Sequence, residues 1–168
     1  MAAQFLDEFA RELGKIGERA FIRRYGVPVL IVSGRTTPVG KRKPAALLGT
    51  VRERPDAVRA LISRVYPLIK LTGGAGPVVV GRAQATGVDV AIADPSISKR
   101  HCMFVTDDGA VNVTDCASTN GTAVNGAAVQ GSAAVRLCGG EILTLGRLEL
   151  TYETSAGFAV LVGGLDGA

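Results

Sequence analysis

The sequence predicts a mainly β protein with an N-terminal helical extension. Two observations support this prediction. From Tyr66 onward, short alternating apolar and polar segments are separated by Gly, Asn and Asp, whereas residues 4–25 show helical periodicity. We therefore divide the chain into a basic extension (residues 1–65), a β domain (residues 66–153) and a C-terminal strand or tail (residues 154–168).

The extension begins with a helical pattern. Between Gln4 and Tyr25, apolar residues recur every three or four positions, which predicts one amphipathic helix that ends before Gly26. Its apolar stripe is expected to pack either within the chain or against a second copy, so a homodimer through this helix is an open alternative. Pro28 prevents the helix from continuing.

Three further elements are predicted in the rest of the extension. Residues 27–32 are β-branched and bounded by turn formers, which indicates a strand that tolerates Pro28 at an edge. Residues 34–49 are rich in Gly, Pro and basic residues, which is typical of a loop. A second helix is predicted from Pro55 to Val65, because Pro55 suits a first helical turn and apolar residues follow at helical spacing.

The β domain is a series of short strand-like segments. Its segments are YPLIKL, PVVVGR, VDVAIAD, HCMFVTD, AVNVTDC, AVRLCG, EILTLG and LELTYE. Asp108-Gly109 and Asn125-Gly126 tolerate the positive φ of a tight hairpin turn, and therefore predict turns between strands. The apolar residues after Gly157 predict a last edge strand or a fraying tail.

Cysteine content and hydropathy limit the classes of protein. Cys102, Cys116 and Cys138 are widely separated and lack the spacing of a metal site, so we expect no metal, no cofactor and a reducing cytoplasm. No apolar run approaches the roughly 20 residues needed to span a bilayer, and the N-terminus lacks the apolar core of a signal peptide. We expect a chain without a membrane span.

The charge is divided unevenly along the chain. Residues 1–71 contain 14 Lys or Arg and 6 Asp or Glu, whereas residues 72–168 contain 5 and 9. The basic half makes binding to nucleic acid or to an anionic surface an alternative function. Against nucleic acid, this half has few aromatic residues that could stack on bases and no helix-turn-helix signature.

Catalysis is not supported by any motif. The chain lacks a phosphate-binding loop of the G-x-x-x-x-G-K-[ST] type, a dinucleotide fingerprint and a G-x-S-x-G elbow. Gly73-Gly-Ala-Gly76 is followed by Pro77 and a strand, where a phosphate loop would need a helix N-terminus. We therefore expect no catalytic residues and no enzyme activity.

Three short motifs lie between predicted strands of the β domain. They are Gly81-Arg82, Ser98-Lys-Arg-His101, and Ser118-Thr-Asn-Gly-Thr122 followed by Val124-Asn-Gly126. In this order they resemble the forkhead-associated (FHA) domain, over roughly residues 66–153. The string Gly139-Gly-Glu-Ile-Leu-Thr-Leu-Gly146 stands where that family has a similar closing string.

The resemblance implies a fold, a ligand and a set of site residues. The implied fold is a two-sheet β-sandwich with phosphothreonine-binding loops at one end, and the implied partner is a protein modified by a Ser/Thr kinase. The implied phosphothreonine-binding residues are Arg82, Ser98, Lys99, Thr119 and Asn120, supported structurally by Gly81, His101, Gly121 and Asn125. A phosphothreonine carries almost two negative charges and three acceptor oxygens, which such cations and neutral donors suit.

Two features bear on the choice and source of the ligand. Some members of the family have a basic or long polar residue two positions before the loop serine. Here that position is Ser96, which leaves the preference for a neighbouring acidic peptide residue open. Thr36 and Thr37 follow Arg35 in a basic context that some kinases accept, so a phosphorylated Thr36 or Thr37 is one candidate ligand, and an ordinary flexible linker is the alternative.

Overall fold

The computed structural model describes residues 4–35, 63–71, 76–83 and 85–165. The helices are α1 (Leu6–Ile16), α2 (Glu18–Tyr25), α3 (Ser155–Leu165) and a short 3-10 helix (Ile69–Leu71). The strands are β1 (Gln4–Phe5), β2 (Val29–Arg35), β3 (Arg64–Pro67), β4 (Val78–Arg82), β5 (Val90–Ile92), β6 (Cys102–Asp107), β7 (Ala110–Asp115), β8 (Thr122–Val124), β9 (Ala127–Ala128), β10 (Val135–Leu137), β11 (Glu141–Leu145) and β12 (Leu148–Glu153).

The described strands form two sheets, which confirms the predicted β-sandwich. One sheet has the order β1-β3-β2-β12-β11-β8-β9, and the other has the order β10-β7-β6-β4-β5. Alternation of more and less buried residues turns one face of each sheet inward, as β12 shows with buried and half-buried residues over its whole length. The largest fully buried side chains of the core between the sheets include Phe104, Tyr152, Leu30, Ile92, Leu143 and Leu150.

Both predicted hairpin turns are confirmed. Asp108 and Gly109 have φ angles of 47° and 75°, and Asn125 and Gly126 have φ angles of 49° and 82°. Positive φ at both central residues matches the right-handed twist of the flanking strands, which is why these pairs favour two-residue turns. The turns join β6 to β7 and β8 to β9.

The predicted single N-terminal helix is two helices. Gly17 separates α1 from α2 with φ 77° and ψ 160°, a conformation that ends a helix and that glycine adopts without steric cost. The break lets both helices turn their apolar faces to one layer outside the first sheet. Phe9, Leu13 and Phe21 are buried there, so the predicted stripe packs within the chain.

The sandwich begins earlier in the chain than residue 66. The predicted strand near residues 27–32 is confirmed as β2, but β2 lies inside the sheet, between β12 and β3, rather than at an edge. Pro28 precedes the strand, so it does not interrupt the ladder. Local sequence could not reveal this membership, because β2 pairs with residues more than a hundred positions away.

The helix predicted from Pro55 to Val65 is wrong at its C-terminal end. Residues 64 and 65 belong to β3, because Val65 is fully buried against the helical layer and pairs with Ile31 of β2. Residues 55–62 lie outside the described residues, as do Thr36 and Thr37.

The strand predicted in the C-terminal tail is also wrong, because the segment forms helix α3. Thr154 caps this helix: its side-chain oxygen accepts a hydrogen bond from the Gly157 N–H at 3.1 Å. Phe158, Ala159 and Val162 are buried against α1 and α2. The Phe158 ring contacts the rings of Phe9 and Phe21, with centroids 5.2 and 5.9 Å away.

None of the helices in the described part of the chain has the length and apolar character to cross a membrane.

Candidate functional site

The three predicted motifs meet at one end of the sandwich. The Arg82 N–H donates to the Ser98 carbonyl at 2.9 Å, and the Thr119 N–H donates to the Ser98 side-chain oxygen at 2.9 Å. The end of β4, the loop before β6 and the loop before β8 are therefore joined at Ser98. We call these two loops the Ser98 loop (residues 93–101) and the Thr119 loop (residues 116–121).

Gly81 lets the Ser98 loop approach strand β4. A Cβ atom built on Gly81 would lie 2.0 Å from the Lys99 carbonyl oxygen, a separation that no side chain tolerates. Because Gly81 has no side chain, the Ser98 loop can lie directly against the backbone of β4, next to Arg82. Gly81 thus permits the close approach of two backbone segments.

The polar groups at this junction are open to solvent. The side chains of Arg82, Lys99 and Thr119 are exposed, and that of Ser98 is half-buried. Because the Ser98 oxygen already accepts the Thr119 N–H, its hydroxyl hydrogen is left to donate to an acceptor. The junction thus presents two cations and hydroxyl donors on one small surface, and an anion with several acceptor oxygens suits it.

His101 joins the two loops from beneath. The side chain is fully buried, and its Nδ1 accepts the Ser98 N–H at 3.0 Å. The proton of the neutral ring is consequently on Nε2, which donates to the Gly121 carbonyl at 3.0 Å. This neutral ring braces both loops, and its position away from solvent does not suit a catalytic base.

Burial lowers the pKa of His101 from its ordinary value of 6.5, although the hydrogen bond to Gly121 and the charge of Asp115 act in the opposite direction. Protonation would also replace the Nδ1 acceptor with a donor facing the Ser98 N–H. The folded chain therefore favours the neutral ring.

A stability difference with pH follows from this lowered pKa. The unfolded chain binds the proton more readily. The contribution of His101 to the free energy of unfolding is therefore complete above about pH 6.5 and is lost as the pH falls toward the pKa of His101 in the folded chain. We expect the free energy of unfolding, measured with urea, to rise with a clear slope between about pH 5 and pH 7 in the wild type. This slope is expected to be absent in His101→Gln. Equal slopes in both proteins would contradict the prediction. The chain has one histidine, so no second imidazole contributes.

Asn120 is fixed to the Ser98 loop. Its side-chain amide donates to the Ser96 carbonyl at 2.8 Å, while the residue remains exposed. Ser96 itself is buried: its hydroxyl donates to Asp94 at 2.6 Å and accepts the Arg147 N–H at 3.0 Å. The Ser96 hydroxyl is therefore engaged in hydrogen bonds within the fold.

Gly121 and Asn125 have different roles. The Gly121 carbonyl accepts from His101 and from the Gly146 N–H, so Gly121 lies within the junction. Asn125 lies at the other end of β8, where its side-chain oxygen accepts the Ile142 N–H at 2.9 Å. Asn125 thus links the end of β8 to β11, and β8 separates it from the Thr119 loop.

Asp115 is a residue of the site that the motif pattern did not single out. Its carboxylate accepts hydrogen bonds from Ser118, within the Thr119 loop, and from Thr122, the first residue after that loop. Asp115 and Ser118 are three positions apart and are followed by a Gly, which is typical of a side chain that caps a turn. This pattern could have identified Asp115 from the sequence.

Metal binding is not supported in the part of the chain that the structure describes. Within the described ranges, no group of three or more His, Cys, Asp or Glu residues is placed to hold a metal ion. The three cysteines are unpaired, and they are buried at Cys102, half-buried at Cys116 and exposed at Cys138.

Comparison with known proteins agrees with the fold. The family model of the FHA domain matches residues 78–146. The FHA domain of the CT664 protein from Chlamydia trachomatis is 18% identical, with a TM-score of 0.51, and the alignment covers 76% of this chain and 96% of that chain. At this identity the likeness shows the fold.

Two further solved FHA domains are similar in sequence. The FhaA FHA domain, complexed with the intracellular domain of Rv3910, is 30% identical over 54% of this chain and 89% of that chain, with a TM-score of 0.45. The MEK1 FHA domain, in complex with a HOP1 phosphothreonine peptide, is 27% identical over 54% of this chain and 87% of that chain, with a TM-score of 0.44. No curated protein matches this chain.

Proposed function

Because this chain belongs to the FHA domain family, we propose that it binds a phosphothreonine-containing protein and so mediates an interaction controlled by a Ser/Thr kinase. One observation carries the proposal: Arg82, Ser98 and Thr119 come from separate parts of the chain and meet at a single hydrogen-bonded junction. The partner is a phosphoprotein, and no catalytic step is part of the proposed function.

The charge and chemistry of the junction favour a phosphate monoester. Arg82 offers a planar fork of N–H donors that matches phosphate oxygens, and Lys99 adds a mobile point charge. The hydroxyls of Ser98 and Thr119 complete the donor set without further charge. A phosphothreonine carries about −1.5 to −2 charges at neutral pH, which these groups are suited to offset.

The peptide chain beside the phosphate is assigned to Asn120. Its NH₂ group is committed to the Ser96 carbonyl, and this bond sets the orientation of the amide. The side-chain oxygen then remains to accept a backbone N–H of the peptide. This assignment gives the site a contact that inorganic phosphate cannot make.

The test is fluorescence anisotropy of a degenerate phosphothreonine peptide pool against the wild type and Arg82→Ala. We expect selective binding by the wild type, and a loss of about 2 kcal/mol, or roughly 30-fold in affinity, in the variant, because charge-assisted hydrogen bonds to phosphate are removed. Arg136→Ala is the matched control, since it removes the same charge from the exposed side of β10.

Unphosphorylated and phosphoserine pools complete the design. Equal binding of the phosphorylated and unphosphorylated pools would overturn the proposal. Binding that weakens steeply with salt and survives Arg82→Ala would instead favour the basic N-terminal half as an anion-binding surface. Weaker binding of phosphoserine is expected, because a threonine methyl group adds about 1 kcal/mol when it is buried.

A further inference from the structure

The carboxylate of Asp115 organises the loop that carries Thr119 and Asn120. One oxygen accepts the Ser118 hydroxyl at 2.5 Å and the Thr122 hydroxyl at 2.6 Å. The other oxygen accepts the Ser118 N–H at 2.9 Å. The carboxylate therefore contacts the residues on both sides of Thr119 and Asn120.

The hydrogen bonds continue from Asp115 through the Thr119 loop. The Ser118 oxygen, which donates to Asp115, also accepts the Gly121 N–H at 3.1 Å. Within the loop, Ala117 has φ 56°, a left-handed conformation that costs energy in a residue other than glycine. Such a backbone persists only where surrounding contacts hold it, and the contacts to Asp115 begin at the next residue.

The charge of Asp115 is unfavourable for the proposed ligand. Partial burial alone would raise the pKa of Asp115, but the hydrogen bonds from Ser118 and Thr122 lower it below its ordinary value. Asp115 is therefore ionised at neutral pH. A negative charge near a phosphate site repels the phosphate, so any favourable contribution of Asp115 to binding has to come from another effect.

We propose that Asp115 is a positioning residue for phosphopeptide binding, which acts by holding Thr119 and Asn120 in their binding conformation. This inference rests on the proposed function, because it concerns the same site. Asp115 does not contact the ligand. Its contribution is the geometry of the loop, and that contribution exceeds the repulsion between its charge and the phosphate.

The substitution Asp115→Asn separates these two effects. It removes the negative charge, which on electrostatic grounds alone would strengthen phosphate binding. It also replaces one carboxylate oxygen with an NH₂ group. With the NH₂ group toward Ser118 and Thr122, both hydroxyls must reverse and accept, and the hydrogen bonds to a charged carboxylate become neutral ones of about half the strength. Geometry and charge thus predict opposite changes in affinity.

The first experiment compares the affinity of the phosphothreonine pool for wild type, Asp115→Asn and Asp108→Asn. We expect Asp115→Asn to bind about tenfold more weakly, because the charge-assisted hydrogen bonds that hold the Thr119 loop become weaker neutral ones. Asp108→Asn removes the same charge at the far end of the β6–β7 hairpin, where asparagine suits the φ of 47°, and is expected to bind as the wild type does. Equal or tighter binding by Asp115→Asn would overturn the proposal.

A second variant tests whether weaker binding by Asp115→Asn comes from the hydrogen-bond network or from a general loss of folding. Ser118→Ala keeps the carboxylate but removes the hydroxyl that links it to Gly121. We expect Ser118→Ala also to weaken binding. The double variant should lose less affinity than the sum of the two single losses, because both break one network. Additive losses would contradict positioning through Ser118.

Amide hydrogen exchange without peptide distinguishes failure of this inference from failure of the proposed function. We expect the Thr119 N–H, which donates to Ser98, to exchange faster in Asp115→Asn than in the wild type, with the β6–β7 turn unchanged. Unchanged exchange at Thr119 would overturn the positioning role even if peptides bind. If exchange at Thr119 is faster in Asp115→Asn but the wild type binds no phosphopeptide, the proposed function is wrong. The role of Asp115 in holding the Thr119 loop would still be supported.

Discussion

Phe158→Ala is expected to lower the free energy of unfolding by about 3–5 kcal/mol, the usual cost of removing a fully buried aromatic side chain. Phe158 has no exposed surface and lies at the centre of the helical layer. Its ring contacts Phe9 edge to face and Phe21 in a tilted arrangement. Truncation therefore leaves a cavity lined by these two rings, which cannot fill it unless α1 and α2 move.

Urea unfolding of the full chain measures this effect, with Val160→Ala as the control in the same helix. Val160 is 75% exposed, so its truncation is expected to change stability by less than about 0.5 kcal/mol. If Phe158→Ala costs no more than Val160→Ala, then α3 does not unfold together with the sandwich. A separate first transition in the wild type would lead to the same conclusion.

Gly81→Ala is expected to destabilise the chain by about 3 kcal/mol or more, or to move the Ser98 loop and abolish phosphopeptide binding. The methyl group would lie 2.0 Å from the Lys99 carbonyl oxygen and 3.0 Å from the Val88 side chain. Because the φ of Gly81 is not positive, alanine fits the backbone conformation, and the obstacle is space alone. Relief requires the peptide bond after Lys99 to move, and with it Ser98 and Lys99.

Unfolding and peptide anisotropy should both be measured for Gly81→Ala, since the strain can appear in either. Gly164→Ala is the matched control, because a Cβ atom there meets no atom within 4 Å in an exposed part of α3. Alanine favours a helix over glycine by about 1 kcal/mol, so the control is expected to be neutral or slightly stabilising. Wild-type stability and affinity in Gly81→Ala would show that the Ser98 loop adjusts freely.

The loop end of the sandwich was predictable from the sequence because its polar residues lie in short, ordered motifs. Gly81-Arg82 and Ser98 to His101 sit at strand ends, where loops gather, and the structure brings them together. The family resemblance places Asn125 among the residues that support the same loops. Only the direction of β8 shows that it lies at the opposite end, on Ile142.

The sequence by itself determined the local features of this protein: the hairpin turns at Asp108-Gly109 and Asn125-Gly126, the short alternating strands and the polar residues between them. These depend on backbone preferences and side-chain periodicity, which act over a few residues. Only the tertiary structure decided that β2 lies inside the sheet and that the apolar tail is helix α3. An apolar run of that length suits a buried strand or a buried helix equally, and the aromatic layer formed by α1 and α2 selects the helix, because it buries Phe158 and Val162 on one face.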